Sequence, residues 1–233
     1  MRSILLFSGG KDSIYSLEET LGKFQIKYII SINSESGDTQ LHAGPESDKL
    51  IRKSQLKLLG VPFKEITISS NNNYMHELFV KLNRVVKKDK ITHIITGDLW
   101  HPYTSGIGDM LAAVLGIEII RPAREICPDR KTDIKYMNKI IKSGIESIII
   151  SVRQGVLPKT FVGRKIDKKL VKDLAYMKVD AAGEGGEYQS LVLKSTKMQG
   201  RIVIDDFMIN LVEGKNGKEK FYRMSIKKFH IEK

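Results

Sequence analysis

Short apolar runs alternate with segments of helical spacing through the first half of the chain. We interpret as strands the runs at residues 3–7, 26–32, 63–68, 91–96 and 117–120. Apolar side chains recur every three or four residues, as in helices, at residues 14–21, 46–59, 74–86 and 110–115. Strands that alternate with helices are typical of a parallel sheet with helices on both faces.

The pattern changes in the second half of the chain. Helical spacing returns at residues 134–143 and 167–177, on either side of a predicted strand at 145–152. From residue 191 onward apolar and polar residues alternate, which predicts a strand-rich tail. We place a boundary near residues 122–129, so the prediction is an N-terminal domain, 1–125, and a smaller C-terminal α/β domain, 126–233.

Composition limits the class of protein. The 233 residues are 41% hydrophobic and 28% charged, which is ordinary for a globular protein. The first apolar run, residues 4–7, is far too short for a signal peptide or a membrane span, so we expect a cytoplasmic protein without membrane contact. The one cysteine, Cys127, excludes an internal disulfide and a cysteine-based metal site, and we expect it to be a small buried residue.

The chain is basic, with 39 Lys and Arg against 27 Asp and Glu and a net charge of +12. Such a charge indicates either an anionic partner, such as tRNA or a nucleotide, or a solvated lysine surface of the kind that thermophiles carry. The lysines are scattered, and no stretch interleaves basic and aromatic residues as a nucleic-acid platform requires. The pattern therefore favours the solvated surface.

A glycine-rich loop separates the first strand from the first helix. It consists of Ser8, Gly9, Gly10, Lys11, Asp12 and Ser13. Glycines allow a sharp turn and a close approach of the backbone to a ligand, and a helix start offers N–H groups and a positive dipole end to phosphate. The hydroxyls of Ser8 and Ser13 can donate hydrogen bonds, and Lys11 can meet phosphate charge. Asp12 would repel phosphate, so it either caps the helix or helps to hold Mg²⁺.

The spacing of this loop is neither that of a Walker A motif nor that of a dinucleotide fingerprint. It resembles the pyrophosphate-binding loop of the N-type ATP pyrophosphatases. The resemblance implies a Rossmann-like fold of the adenine nucleotide alpha hydrolase type, with ATP bound by residues 8–13. It also implies cleavage between the α- and β-phosphates with Mg²⁺, an adenylated intermediate, and catalytic roles for Lys11 and Asp12.

Further ATP contacts are expected where other strands end. Ser31 and Asn33 close the second strand, where that superfamily places adenine, and Gly97 with Asp98 closes the fourth. Ligands of open α/β sheets bind at this carboxyl edge. His42 and His101 lie in loops that can border such a site, although single histidines there are more often plain surface residues. For Trp100 we expect a packing role.

A second glycine-rich stretch carries paired carboxylates. It runs through Gly183, Glu184, Gly185, Gly186, Glu187, Tyr188, Gln189 and Ser190. Three glycines exclude a helix interior, so the segment is a tight loop. Its glutamates can hold Mg²⁺, orient an amine or act as a base. From composition alone, a polar surface turn explains the stretch equally well.

This stretch resembles the motif G-E-G-G-E-[FY]-x-[TS] of the diphthine–ammonia ligase family, in its archaeal-type branch. The segments 147–152, 161–167, 191–193 and 201–205 are also similar to that family, so the resemblance covers nearly the whole chain. It implies that Glu184 and Glu187 are catalytic. It implies an acceptor site of Gly183, Gly185, Gly186, Tyr188, Ser190, Gly163 and Arg164. The chain departs from the family after Pro122, where a Leu-Trp pair is missing, and at Ser190, where threonine is commoner.

The resemblance implies an ATP-dependent amide ligase. ATP would adenylate the diphthine carboxylate on elongation factor 2, and ammonia, supplied as free ammonium, would displace AMP. A homodimer is possible for such a chain. Two other functions stay open: a tRNA-modifying enzyme with the same adenylation chemistry, which the net charge favours, and an adenine-nucleotide sensor without turnover.

Overall fold

A parallel sheet organises the first half of the protein. The computed structural model describes residues 1–34, 46–69, 73–214 and 219–233, and within these ranges five strands form this sheet. The strands are β1 (Arg2–Phe7), β2 (Gln25–Ser34), β3 (Phe63–Ile68), β4 (His93–Ile95) and β5 (Glu118–Ile120). They lie in the order β3-β2-β1-β4-β5, and all the pairings are parallel.

Helices connect these strands and cover both faces of the sheet. They are α1 (Lys11–Thr20), α2 (Glu46–Leu59), α3 (Tyr74–Asp89), α4 (Pro102–Leu115) and α5 (Pro122–Ile126). Helix α4 begins eight residues before the predicted start at residue 110, so that boundary was wrong. Glycines at positions 106 and 108 have low helix propensity, so the sequence pattern did not indicate the first turns of α4. A Cβ at Gly108 would lie 2.9 Å from Arg121 Nη2, so a side chain there would displace that guanidinium.

The second half is an α/β unit with an antiparallel sheet, which confirms the predicted class. Its elements are α6 (Asp133–Lys142), β6 (Glu146–Arg153), α7 (Lys168–Tyr176), β7 (Tyr188–Lys194), β8 (Arg201–Glu213) and β9 (Lys220–Glu232). Among the described residues the strand order is β7-β6-β9-β8. Short 3₁₀ turns lie at Arg130–Thr132 and Lys159–Phe161.

Local sequence explains where the helices of the second half form. In α6 the buried residues Tyr136, Met137 and Ile140 recur at helical spacing and form one apolar face. Helix α7 begins after Asp167, whose carboxylate accepts a hydrogen bond from the Leu170 N–H at 2.8 Å. That bond satisfies one of the N–H groups that a helix start leaves without an internal partner.

The described core residues form two hydrophobic clusters, one on each face of the parallel sheet. Ile4, Ile30 and Ile94 pack with α3 and α4 in the first cluster. Leu5 and Ile29 point to the other face and belong to a cluster that also contains α1, α2, α6, α7 and the antiparallel sheet. The two halves of the protein therefore share this second cluster. The proposed boundary at residue 125 stays a prediction.

Among the described residues, no helix combines the length and the apolar composition that a membrane crossing requires.

Candidate active site

The first glycine-rich loop turns the chain from β1 into α1 by means of its glycines. Gly9 has a φ of +82°, which favours glycine, and a Cβ there would lie 2.4 Å from Gln55 Oε1. Gly10 is the N-cap of α1 and has no side chain to cap the helix. Gly10 therefore places no capping side chain between this helix start and a ligand, while the N–H groups of Gly10 and Lys11 donate to Ser8 Oγ and Ser190 Oγ.

Hydrogen bonds within six residues hold this loop. The Gly10 N–H donates to Ser8 Oγ at 3.3 Å, and the Ser8 hydroxyl donates to Ser13 Oγ at 3.2 Å. The Ser13 hydroxyl in turn donates to the Gly10 carbonyl at 2.9 Å. The loop thus closes on itself.

The same loop is also joined to strand β7 of the other half. The Gly9 carbonyl accepts hydrogen bonds from the Val192 N–H at 3.0 Å and from Gln55 Nε2 at 3.0 Å. The Gln55 amide also donates to the Val192 carbonyl at 2.7 Å, and Gln55 is fully buried. The first loop and the strand that follows the second loop are therefore one packed unit.

The second glycine-rich loop is held by Asp180, which precedes its motif, and by Tyr188 within it. The two carboxylate oxygens of Asp180 accept hydrogen bonds from the Ala182 N–H at 2.9 Å and the Glu184 N–H at 3.1 Å. Burial raises the pKa of Asp180 above its ordinary value. The Tyr188 hydroxyl donates to the Ala181 carbonyl at 2.6 Å. Gly183 has a φ of +74°, and a Cβ there would lie 2.7 Å from the Tyr188 ring.

Lys11 joins the two loops directly. Its ammonium donates to the Ala182 carbonyl at 2.6 Å and to Asp12 Oδ2 at 3.0 Å, and its side chain is only 3% exposed. Its backbone N–H donates to Ser190 Oγ at 3.2 Å. Burial alone would lower the pKa of Lys11, but the charge of Asp12 and other nearby acidic groups outweighs burial and raises it. Lys11 is therefore a cation.

Asp12 is held from two sides. One carboxylate oxygen takes the Lys11 ammonium, and the other accepts a hydrogen bond from the Tyr136 hydroxyl at 2.8 Å. Tyr136 lies on α6, 124 residues further along the chain, and is fully buried. Burial raises the pKa of this phenol well above its ordinary value, so the hydroxyl remains a hydrogen-bond donor.

Both loops line one cavity of about 390 Å³ between the halves of the protein. Its charged lining residues are Lys11, Arg52, Asp12, Glu184 and Glu219. Glu184 Oε1 accepts a hydrogen bond from the Leu99 N–H at 3.2 Å, so the chain after β4 reaches this site as well. From the two predicted motifs, the lining residues are Ser8, Gly10, Lys11, Asp12, Gly183, Glu184, Gly185, Gly186, Tyr188, Gln189 and Ser190.

Some predicted ATP contacts lie beside this cavity without lining it. Ser31 and Asn33 are buried, and the Asn33 side-chain oxygen accepts a hydrogen bond from Arg52 Nη2 at 2.8 Å. Gly97 allows β4 to approach α1, since a Cβ would lie 2.8 Å from the Ser13 nitrogen. Asp98 pairs with Arg121 at 2.5 Å. Their roles toward ATP stay predictions.

Two residues of the predicted acceptor site, and the predicted catalytic residue Glu187, are also outside the cavity lining. Gly163 adjoins Phe207 and Met224, while the Arg164 guanidinium pairs with Asp173 at 2.6 Å. The Glu187 carboxylate lies against Gly185, and its Oε2 is buried without a hydrogen-bond partner among the described residues. Their predicted roles therefore depend on contacts other than cavity lining.

The remaining predictions concern single residues. His101 lines the cavity, Trp100 packs against the core, and Cys127 is buried, as expected for a small packing residue. His42 lies outside the described residues.

Several residues of the site were missed in the sequence. They are Arg52, Gln55, Asp133, Tyr136 and Asp180. Asp180 stands three residues before Gly183, where acids commonly bond the backbone of a turn, so its neighbourhood offered a signal. Nothing local distinguishes a tyrosine within an amphipathic helix, and so only the structure reveals Tyr136.

The cavity suits ATP and Mg²⁺ in its chemistry. Gly10 places no side chain over the helix start, and Lys11 and Arg52 supply buried positive charge for phosphates. Among the described residues, no group of three or more His, Cys, Asp or Glu side chains gathers as a metal site. Mg²⁺ needs no such cage, because it commonly binds one or two carboxylates together with substrate phosphates. Asp12 would be such a carboxylate.

Sequence comparisons identify both halves of the chain. The model of the diphthamide synthase N-terminal domain matches residues 1–119, and that of the diphthamide synthase C-terminal domain matches residues 132–231. A diphthine–ammonia ligase of Schizosaccharomyces pombe is 24% identical over an alignment of 226 residues, and the match covers 88% of this chain and 36% of that protein. A diphthine–ammonia ligase of Mus musculus is 22% identical over 88% of this chain and 83% of that protein.

The chain therefore spans about a third of the fission yeast relative and most of the mouse relative. Among solved structures, a protein described as a predicted subunit of a tRNA methyltransferase from Methanocaldococcus jannaschii is 16% identical. It covers 84% of this chain and 99% of its own length, with a TM-score of 0.37, which is too low to support a conclusion about fold or function. The domain matches decide the assignment, and the chain belongs to the diphthamide synthase family.

Proposed function

We propose that this protein is an ATP-dependent amide ligase that acts on the diphthine carboxylate of elongation factor 2. The observation that carries the proposal is the joining of the two family motifs around one cavity, with Lys11 bonded to both. A phosphate-binding loop and a carboxylate-bearing loop must be adjacent if a carboxylate is to be activated and then aminated in one site. The names of the curated relatives support the same activity.

In the first step, the acceptor carboxylate oxygen attacks the α-phosphorus of ATP, and pyrophosphate leaves. Negative charge gathers on the phosphates, and Lys11 and Arg52 lie in the cavity wall as the cations that would balance it. Mg²⁺ would neutralise further phosphate charge when bound at Asp12. The product of this step is an acyl adenylate.

In the second step, neutral ammonia attacks the acyl carbon, and AMP leaves with the bonding electron pair. The nitrogen must lose a proton as the amide forms, and Glu184 is the cavity-lining carboxylate of the second loop that would accept it. An ordinary carboxylate resists ammonia because its leaving group is poor, so adenylation supplies the driving force. No sulfur chemistry is needed, which agrees with the buried position of Cys127.

The test is to incubate the protein with ATP, Mg²⁺, ammonium and diphthine-bearing elongation factor 2. We expect AMP and pyrophosphate in step with the mass change from carboxylate to amide. Glu184→Gln should form far less amide, while Glu146→Gln, an exposed change on β6 away from the cavity, should behave as wild type. ADP in place of AMP, or AMP formation that depends on tRNA and not on elongation factor 2, would refute this function.

A further inference from the structure

Helix α6 contacts both loops of the active site. Asp133 and Tyr136 stand three residues apart on α6 and therefore share one face of the helix, and both are buried. Tyr136 reaches Asp12 of the first loop at 2.8 Å, and Asp133 Oδ2 accepts the N–H of Ala181, beside the second loop, at 2.8 Å. A single rigid element thus holds two segments that are about 170 residues apart in the chain.

These contacts form a closed circuit of hydrogen bonds. From Tyr136 the circuit passes to Asp12, then to the Lys11 ammonium, then to the Ala182 carbonyl, and it returns to α6 through Ala181 and Asp133. Each hydrogen bond of the circuit has one defined donor and one defined acceptor. Buried networks of this kind restrict the geometry of their members, because an unpaired member would lose a hydrogen bond without replacement by water.

The circuit has a specific consequence for Asp12. Its carboxylate is 25% exposed and would rotate freely on a surface helix, but each of its oxygens is taken by a different donor. Each carboxylate oxygen can accept more than one hydrogen bond or metal contact, so the bond from Tyr136 orients Asp12 without using up its capacity. Tyr136 touches no group that reacts in the proposed function.

We propose that Tyr136 is a positioning residue that orients Asp12 toward Mg²⁺ and ATP, with α6 as the spacer that holds the two loops in register. This inference rests on the proposed function, from which it takes the nucleotide. It predicts that the hydroxyl of Tyr136 acts only through Asp12. The aromatic ring contributes separately, by packing edge-to-face against Tyr15 with ring centroids 5.6 Å apart.

The test is a double-mutant cycle on the full chain, with ATP affinity measured by calorimetry in Mg²⁺ and again in EDTA. Tyr136→Phe removes the hydroxyl and keeps the ring, and we expect it to weaken ATP binding in Mg²⁺ roughly 10-fold, the scale of one hydrogen bond to a charged group. In EDTA, and in the Asp12→Ala background, the same change should alter affinity less than about twofold. Tyr15→Phe is the matched control, because it deletes a buried hydroxyl from the same aromatic pair, and it should leave affinity unchanged in Mg²⁺.

Equal loss of affinity with and without Mg²⁺, or additive effects of Tyr136→Phe and Asp12→Ala, would overturn the positioning role. Thermal melting of the wild type, Tyr136→Phe, Asp12→Ala and the double variant detects misfolding. Asp133→Asn tests the contact of α6 with the second loop, since it should raise the hydrogen-exchange rate of the Ala181 amide. Turnover separates this inference from the proposed function. If the cycle shows coupling but the product is ADP, the positioning role stands and the ligase function fails. If AMP and amide form but the cycle is additive, the ligase function stands and the positioning role fails. Absence of ATP binding in the wild type overturns both.

Discussion

The two glycine-rich loops are built in different ways. The first closes through hydrogen bonds among Ser8, Gly10 and Ser13, all within six residues of sequence. The second has its motif glycines and acids in one stretch, but its anchors are Asp180, Tyr188 and, through Ala181, Asp133 of α6. The first loop therefore closes through its own side chains, whereas the second is held by residues at its two ends and by one remote contact, to Asp133.

This difference indicates a division of labour. A loop that closes through its own hydroxyls keeps its shape whether or not the acceptor has bound. A loop that also depends on Asp133 of α6 can respond to changes elsewhere, since losing that anchor frees its backbone. We therefore expect changes in the first loop to affect ligand binding most, and changes around the second loop to affect local order and turnover.

The largest expected effect concerns the region in which the anchors of both loops meet. Burial raises the pKa of the Cys127 thiol to about 12, with the nearby charges of Asp180, Asp133 and Asp12 adding to the shift. At pH 8 the folded protein should react with iodoacetamide roughly 10³-fold more slowly than the unfolded chain, because only the thiolate is nucleophilic. Mass spectrometry with and without denaturant measures both rates.

The labelling rate of Cys127 should also depend on pH differently in the folded and the unfolded protein. The labelling rate of the unfolded chain should level off above the ordinary thiol pKa of 9.0, whereas that of the folded protein should still rise with pH up to about 12. A native rate that also levels off near pH 9 would mean that the region opens readily, and the shared anchoring of the two loops would be refuted.

The first loop should be intolerant of side chains at Gly10. A Cβ there would lie 3.2 Å from the Ser190 carbonyl and would occupy the cavity wall, so Gly10→Val should weaken ATP binding at least 100-fold, a loss of about 2.7 kcal/mol or more. Gly106→Val is the matched control, because a Cβ at Gly106 meets nothing within 4 Å. Calorimetry measures the affinity, and unchanged binding by a folded Gly10→Val protein would exclude this loop as the ATP site.

The second loop offers two glutamates with different surroundings. Glu184 lines the cavity, while Glu187 folds against Gly185 outside it. Glu184→Gln should lower the rate of amide formation roughly 100-fold if this residue is the base, whereas Glu187→Gln should lower it much less. Steady-state assays decide between them, and equal losses in the two variants would show that both carboxylates serve the chemistry, as the sequence prediction has it.

The smallest effect probes the contact between the loops. Lys11→Met keeps the length of the side chain but removes its bonds to Asp12 and the Ala182 carbonyl. Amide exchange at residues 181–184 should accelerate roughly 10-fold, which corresponds to about 1.4 kcal/mol of lost local stability. Lys139→Met on the exposed side of α6 is the control. Equal exchange in wild type and Lys11→Met would show that the second loop is ordered without the first.

The fold was largely predictable because its elements follow local rules. The buried strands of the parallel sheet appear as apolar runs, and α6 and α7 as amphipathic segments, so their order and type could be derived. The start of α4 could not, since glycines at 106 and 108 disfavour a helix by propensity, and only Gly108 has a packing reason, its closeness to Arg121 and Ile119. Strand order in the antiparallel sheet depends on long-range pairing, which a local pattern does not encode.

The residues of the site also divide into those that local sequence indicates and those that only long-range contacts reveal. Gly9, Gly10 and Lys11 could be interpreted from their setting between a strand and a helix. The anchors Tyr136 and Gln55 could not, because their side chains act across distances in the chain that only folding closes. Arg52 was missed for a similar reason, since a lone arginine on a helix is ordinarily exposed and here it is 5% exposed in the cavity wall.

The bond between Gly9 and Val192 has a consequence for the behaviour of this protein in concentrated solution. Strand β7 is one border of the antiparallel sheet, and an uncovered border can recruit strands from other molecules into aggregates. The backbone N–H and carbonyl of Val192 are instead occupied by the Gly9 carbonyl and Gln55. The loop that we assign to phosphate binding therefore also blocks, together with Gln55, intermolecular strand pairing at Val192 on the cavity side of the sheet.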